Sequence, residues 1–493
     1  MELRSAITDT HGIEVEKTTG FNYRWMHHFF SEDVSLKNQP VVEMQRRAIW
    51  IGIAFILQGL NEIPFSTFMP FGAMVQFFLI LSSFFAIWQA FRPARQKQQA
   101  AYRRPARRWQ RFVLLLTIVL AALGSILFGR GLVLSFLPPQ FGNDGTSLDT
   151  NAAILLLQGR NPYTDSNMLD LARRFPIQPD WTTPLRKGEF ANRLNYPTLT
   201  ELQSVLDTDM KAGSAPEFES KVSYPALSFL TLVPFTLVKG YNTLPFFILS
   251  YLALIFVAWK VIRPELRPWL ILLSLANIPM WSSTVGGNLD VFYTLLIVLV
   301  WLCRGKRWQS AALLGLAIAS KQIAWFFTPY YLIMVWRTYG FKEAVYRGII
   351  AGGVALAVNL PFIIWNAHAW FSGVMAPMAD PMFPLGVGVI ALSTSHLIPY
   401  LPQTVYTLLE LVGIIACLGV YWRICRKYPE AAMLLGVIPL FFAWRSLSSY
   451  FYCVAYPLFI LLAIRLQADY KQKKLLAQRA EAPDEALPLH ATV

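Results

Sequence analysis

Residues 48–63, 71–91 and 112–137 are three apolar runs in succession. The stretch between the second and third holds Arg92, Arg95, Lys97, Arg103, Arg104, Arg107, Arg108 and Arg111 and no acid. A membrane-crossing helix needs about 20 mostly apolar residues. A basic loop between two such spans stays on the cytoplasmic side. This one pattern fixes an expected topology: N-terminus inside, residue 137 emerging outside. Further apolar runs follow at about 223–238, 243–262, 268–282, 288–302, 310–336, 345–365, 384–398, 403–422, 430–443 and 450–466. With 55% hydrophobic and 15% charged residues, the chain is too apolar for an ordinary water-soluble enzyme. It reads as an all-α polytopic membrane protein with roughly 10 to 14 crossings.

The net charge of +14 does not point to nucleic acid, because the excess is concentrated in that loop. Contact with anionic lipid headgroups is the expected consequence. Cys303, Cys417, Cys425 and Cys453 all lie in or beside apolar runs. They form no C-x-x-C pair, disulfide framework or zinc motif. The polar, mixed-charge start lacks a signal-peptide pattern, so the first span is expected to act as its own membrane signal.

The expected organisation is a cytoplasmic leader (1–47), a two-helix module with its basic loop (48–111), a transmembrane domain (112–466) and a disordered cytoplasmic tail (467–493). Residues 138–222 are the one long polar stretch, with acids outnumbering bases. They read as an ordered extracytoplasmic loop with short helices, since structureless loops of this length are uncommon. No Lys or Arg occurs between Arg347 and Arg423, so 366–400 should also face outside. Reconciling the charges needs a re-entrant segment within 268–287 and two half-length helices within 310–336. Prolines at 234, 279, 329 and 361 interrupt the later runs, and broken helices survive in a bilayer only where protein or a wet cavity satisfies the freed backbone. No internal repeat is apparent.

Several polar residues stand out. Asp144 and Asp149 follow the third run. A partly desolvated carboxylate at the water–lipid boundary gains basicity, although Asp149 could equally cap the helix after it. Lys321 lies inside an apolar run, where a charge is costly and functional by default, or else snorkels to an interface. Arg445 stands at the end of a span, as a site residue or an interfacial anchor. Asn288 and Asp290 follow Gly286-Gly287, as sugar-binding groups or as turn and cap residues. His368 and His396 lack helical ligand spacing, and no metal or cofactor is assigned. No phosphate-binding loop or nucleotide-binding domain is visible.

Asp144 and Asp149, then an Ala/Leu-rich helix ending in Gly159-Arg160-Asn161-Pro162-Tyr163, resemble the first outer loop of GT-C fold glycosyltransferases. The likeness is to the polyprenyl-phosphate-mannose-dependent mannosyltransferases of glycosyltransferase family 87. Tyr224-Pro225-Ala226-Leu227 resembles that family's Tyr-Pro-Pro entry to the next span. Gly287-Asn288-Leu289-Asp290 resembles its Gly-Gln-x-Asn element, and Leu314–Gln322 its Gly…Ala-x-x-Lys segment. The order covers roughly residues 112–466. The chain departs from the family at Leu148, where a Tyr is usual four positions after the catalytic Asp, and at Trp444-Arg445-Ser446, which replaces a Trp-Asp/Glu-His element.

The resemblance implies a GT-C-like helical bundle with a large outer loop after the third span. It implies transfer of a hexose, mannose first, from a polyprenyl-phosphate donor to an extracytoplasmic glycan or glycolipid acceptor. Asp144 or Asp149 would be the general base, and Lys321 and Arg445 would bind donor phosphate. Asn288, Asp290, Tyr163 and Tyr224 would contact sugar or acceptor. The competing readings are a multi-pass transporter or lipid flippase, which would gather its polar residues at the membrane midplane, and a lipid-linked polymer ligase.

Overall fold

The computed structural model describes residues 39–481, apart from 66–68, 70, 93–107, 140, 176 and 239–240. The basic stretch and most of the leader lie outside these residues. Among those described, the chain is an all-α polytopic membrane protein with one two-stranded sheet. Six helices are long and apolar enough to cross a membrane. They are α2 (Gly72–Phe91), α3 (Arg108–Leu134), α6 (Leu244–Val261), α12 (Phe341–Val374), α13 (Gln403–Ile424) and the segment Ser449–Ala468, most of which belongs to α14 (Ala455–Glu481).

The first helix, α1 (Gln39–Asn61), starts well before the apolar run at 48. Glu43 pairs with Arg46 and Arg47, each at 3.0 Å, three and four residues on. That spacing lets opposite charges meet on one helix face, so the helix extends through residues that composition alone assigns to a polar leader. At the other end α14 continues to Glu481, through much of the stretch read as a disordered tail; 482–493 lie outside the described residues.

The spans hold to membrane rules. The hydroxyls of Thr117 and Ser125 in α3, and of Ser135 just past its end, each donate to a carbonyl one turn back, at 2.8 Å, so none of the three faces lipid unsatisfied. Phe112, Val119, Leu123 and Ile126 on the same helix are exposed. Gly124 has no room for a side chain: a Cβ there would run into the Leu275 carbonyl. Small residues let membrane helices approach this closely.

The later helices are broken, but not at every proline: Pro279 adjoins a break, whereas Pro329 and Pro361 lie inside helices. α7 (Arg267–Ala276) and α8 (Ile278–Val285) meet at Asn277. A glycine turn leads into α9 (Asp290–Leu302). α10 (Arg307–Ile318) and α11 (Ile323–Tyr339) are separated by Ala319–Gln322, and α12 bends at Asn366. β1 (Leu385–Gly386) and β2 (Arg445–Ser446) pair in parallel, with Leu385 opposite Arg445.

Residues 138–222 form a compact cap. It contains α4 (Asp144–Leu157) and α5 (Leu199–Ala212). Thr198 and Glu201 make a reciprocal capping box at the start of α5, and Gly213 closes it in the left-handed conformation at φ 76°, which glycine adopts without steric cost. The cap has a core of its own, including Phe141, Leu148, Ile154, Met168, Phe190 and Phe218, and Phe383 enters it from the later chain. Lys221 and Lys187 pair with Asp380 at 2.8 and 3.5 Å, docking the cap on the 380s.

Phe190 packs edge-on against both Phe218 and Phe383. Phe190→Ala should cost the cap about 3–5 kcal/mol. The expected result is faster trypsin cleavage within 138–222 while the helical bundle stays intact; unchanged cleavage would show that this core does not hold the cap.

Candidate active site

The site forms where the start of α4 docks on the turn before α9. The Asn143 side chain accepts from Thr146 N–H at 2.9 Å and caps α4. Its amide nitrogen donates to the Gly286 carbonyl at 3.2 Å. The Gly142 N–H donates to the same carbonyl at 3.3 Å, and the Thr146 hydroxyl donates to the Gly287 carbonyl. Gly287 is left-handed, at φ 77°, and a Cβ there would lie 2.9 Å from Thr146 Cγ2. The contact thus admits only glycine.

This docking places Asp144 as the first residue of α4, half-buried, with its carboxylate accepting from the Gly145 N–H at 2.9 Å. Burial raises its pKa above the usual carboxylate range; the Thr183 hydroxyl and the Arg445 charge oppose that shift. Asp149 lies inside α4 and is not its cap, since Asn143 holds that position. Asp149 is 3% exposed, and Ser228 donates to it at 2.9 Å. Burial pushes its pKa up to about 8, with Ser228 and Lys321 offsetting only part of the shift.

Lys321 sits in the break between α10 and α11, only 4% exposed. Its ammonium donates to Asp290 at 2.5 Å and to Asn288 at 3.1 Å, and lies 5.1 Å from the centre of the Tyr224 ring, a favourable cation–π geometry. Asp290 is therefore an ion-pair partner rather than a simple helix cap, and Lys321 does not snorkel to water. Arg445, on β2, carries a different balance. Among the described residues its Nη1 is buried with no hydrogen-bond partner, as is the second oxygen of Asp290. Buried polar atoms left like this in a native fold ask for an explanation such as a ligand.

The Tyr224 segment is held by side chains rather than by regular structure. The Tyr163 hydroxyl donates to the Tyr224 carbonyl at 2.9 Å, so its polar end serves the backbone. Gln322 donates to the carbonyls of Ser223 and Val374, at 2.5 and 2.8 Å. Asn359 accepts from Ala226 N–H at 2.9 Å, and Leu227 N–H donates to the Ala319 carbonyl at 2.9 Å. The last bond satisfies a carbonyl freed by the break beside Lys321. Thr183, Tyr196, Tyr450 and Gln322 are site-region residues that sequence reasoning missed. Tyr196 lies within the electrostatic reach of Arg445. Tyr196-Pro197 repeats the Tyr224-Pro225 pairing, the one signal that could have drawn attention to it. His368 and His396 are exposed and Asp380 pairs with lysines. No metal-holding group of His, Cys, Asp or Glu occurs among the described residues.

Residues 223–463 match the model of glycosyltransferase family 87. No curated protein and no solved structure matches. The matched region, just under half of the chain, is similar to family 87, and the protein is a membrane glycosyltransferase. The match contains Tyr224, Asn288, Asp290, Lys321 and Arg445; Asp144, Asp149 and Tyr163 precede it.

Removing one member of a buried ion pair strands the other, at a cost of roughly 3–5 kcal/mol. Asp290→Leu and Lys321→Met should each lower thermal stability in detergent strongly, and the double variant should recover most of the loss. A double variant as unstable as the sum of the singles would show that the two charges do not depend on one another.

Proposed function

We propose that this membrane glycosyltransferase moves a hexose, mannose first, from a polyprenyl-phosphate donor to an extracytoplasmic glycan or glycolipid hydroxyl, with Asp144 as general base. The observation that carries the reading is a half-buried carboxylate, Asp144, within the electrostatic reach of a guanidinium, Arg445, that has a buried N–H to spare. The donor carries a phosphate at headgroup level and its chain in the bilayer. The phosphate is matched to Arg445, whose planar fork suits phosphate oxygens. The acceptor hydroxyl reaches the sugar from the aqueous cap.

In the reaction the acceptor oxygen attacks the anomeric carbon and its proton passes to Asp144. The bond between that carbon and the phosphate oxygen breaks, and polyprenyl phosphate leaves with the electron pair. One base suffices for such an inverting displacement, because phosphate leaves without strong protonation. Arg445 offsets the charge growing on the leaving phosphate. Lys321 supplies positive potential from behind, with its own charge largely committed to Asp290, and steadies Asn288 and Tyr224 as the surfaces offered to the sugar. Asp149 is a poor base: with a pKa near 8 it is mostly protonated at neutral pH.

The cap and the helix breaks supply these groups, whereas the long spans contribute few. That distribution favours transfer at one membrane face over transport through the midplane. The basic stretch 92–111 supports assigning the opposite face to the cytoplasm.

In membranes given labelled polyprenyl-phosphate mannose, Asp144→Asn should reduce transfer by about a thousandfold, within the usual 10²–10⁴ range for a general base. Asp149→Asn should retain most activity. Because the Asp144 pKa is raised, the base is lost as pH falls, and the acid limb of kcat/KM should lie above the ordinary carboxylate range. Arg445→Gln removes an influence that lowers that pKa, so it should move the limb higher as well as raise donor KM. Full activity in Asp144→Asn, or an acid limb moved downward by Arg445→Gln, would contradict the assignment.

A further inference from the structure

Residues 39–91 precede the region that matches the family, yet the end of α1 reaches the frame of the site. The Tyr452 hydroxyl donates to the Glu62 carboxylate, and the Asn61 amide nitrogen reaches the same hydroxyl at 3.4 Å. Gln58 donates to the Phe451 carbonyl at 3.4 Å. Next to Tyr452, the Cys453 sulfur lies 3.6 Å from the Met280 sulfur of α8. Phe77 and Phe84 of α2 pack on Phe441, 5.2 and 5.6 Å between ring centres, and Phe84 packs on Phe451 at 5.2 Å.

These contacts fall on two particular segments. Tyr452 follows Arg445 on the short stretch between β2 and α14. Met280 lies on α8, which leads into the Gly286-Gly287 turn and Asp290. Beside Tyr452, the Cys453 sulfur lies 3.8 Å from the Asp290 carbonyl. Glu62 therefore holds the segment that follows Arg445, and that segment in turn touches α8 and the Asp290 carbonyl. No cation pairs with Glu62 among the described residues, so its hydrogen bond goes to a hydroxyl on a site-bearing segment.

We propose that Glu62 is a positioning residue for donor binding, setting Arg445 against the Asn288–Asp290 turn through Tyr452 and its neighbour Cys453. The inference rests on the donor reading above. It makes the two-helix module preceding the matched region a working part of the site rather than an added anchor.

The test measures binding of polyprenyl phosphate to the purified full-length protein in detergent, alongside KM for donor and acceptor. Glu62→Ala should weaken polyprenyl phosphate binding and raise donor KM by about tenfold, the size of one charge-assisted hydrogen bond, with acceptor KM unchanged. Glu62→Gln keeps an acceptor oxygen and should stay within about threefold of wild type. Tyr452→Phe should reproduce Glu62→Ala, and the double variant should be no worse than either single, because the two share one interaction. A Glu62→Ala protein that binds normally, or that loses only its folded fraction or its acceptor affinity, overturns the proposal. A wild type that binds no polyprenyl phosphate sinks the donor reading and this inference with it; normal wild-type binding with unchanged variants sinks this inference alone.

Discussion

A lysine and an aspartate that neutralise one another inside an apolar bundle fix where the broken helices meet, and the site follows from that junction. Lys321 cannot be charged and alone at this depth. Its bond to Asp290, 2.5 Å long, holds the break between α10 and α11 against the start of α9. Asn288 is drawn in as a second acceptor, and Tyr224 covers the ammonium with its ring. Buried pairs of this kind add little net stability compared with apolar replacements, but they can specify geometry. At this junction the geometry is what the chemistry uses.

The breaks themselves are tolerated because other groups repair them. The Ser320 hydroxyl takes the Ala317 carbonyl and the Trp325 ring N–H takes that of Ile318, while the Leu227 N–H takes Ala319. The repairs come from the Tyr224 segment and from the helices on either side, so mending the backbone also brings the polar side chains together. The cap adds Asp144, the proposed base. It docks through Asn143, Thr146 and the left-handed Gly287, which places Asp144 within the electrostatic reach of Arg445.

Much of this was legible in the chain. Two of the first three expected spans, short helices over 138–222 and helix breaks within 268–287 and 310–336 follow from apolar run length and charge, whereas the first run lies in α1, which is not among the six span candidates. Asp144, Lys321 and Asp290 stood out because charged residues beside or within apolar runs are rare. The pairing of Lys321 with Asp290 was not legible, since nothing local says which acid a buried lysine meets. Thr183, Gln322 and Glu62 were missed for the same reason: their partners lie far along the chain, and each looks like an ordinary polar residue where it stands. The early start of α1 and the helical tail came from charge pairing and helix continuation, which a hydropathy reading discounts.

The most direct test is an experimental structure of the protein with a non-hydrolysable polyprenyl-phosphate hexose. The account expects the phosphate to be hydrogen-bonded to the Arg445 guanidinium, with the anomeric carbon turned toward the Asp144 carboxylate and the lipid chain leaving sideways into the bilayer. A phosphate bound away from Arg445, or a sugar whose reactive carbon faces away from the Asp144 carboxylate, would contradict it.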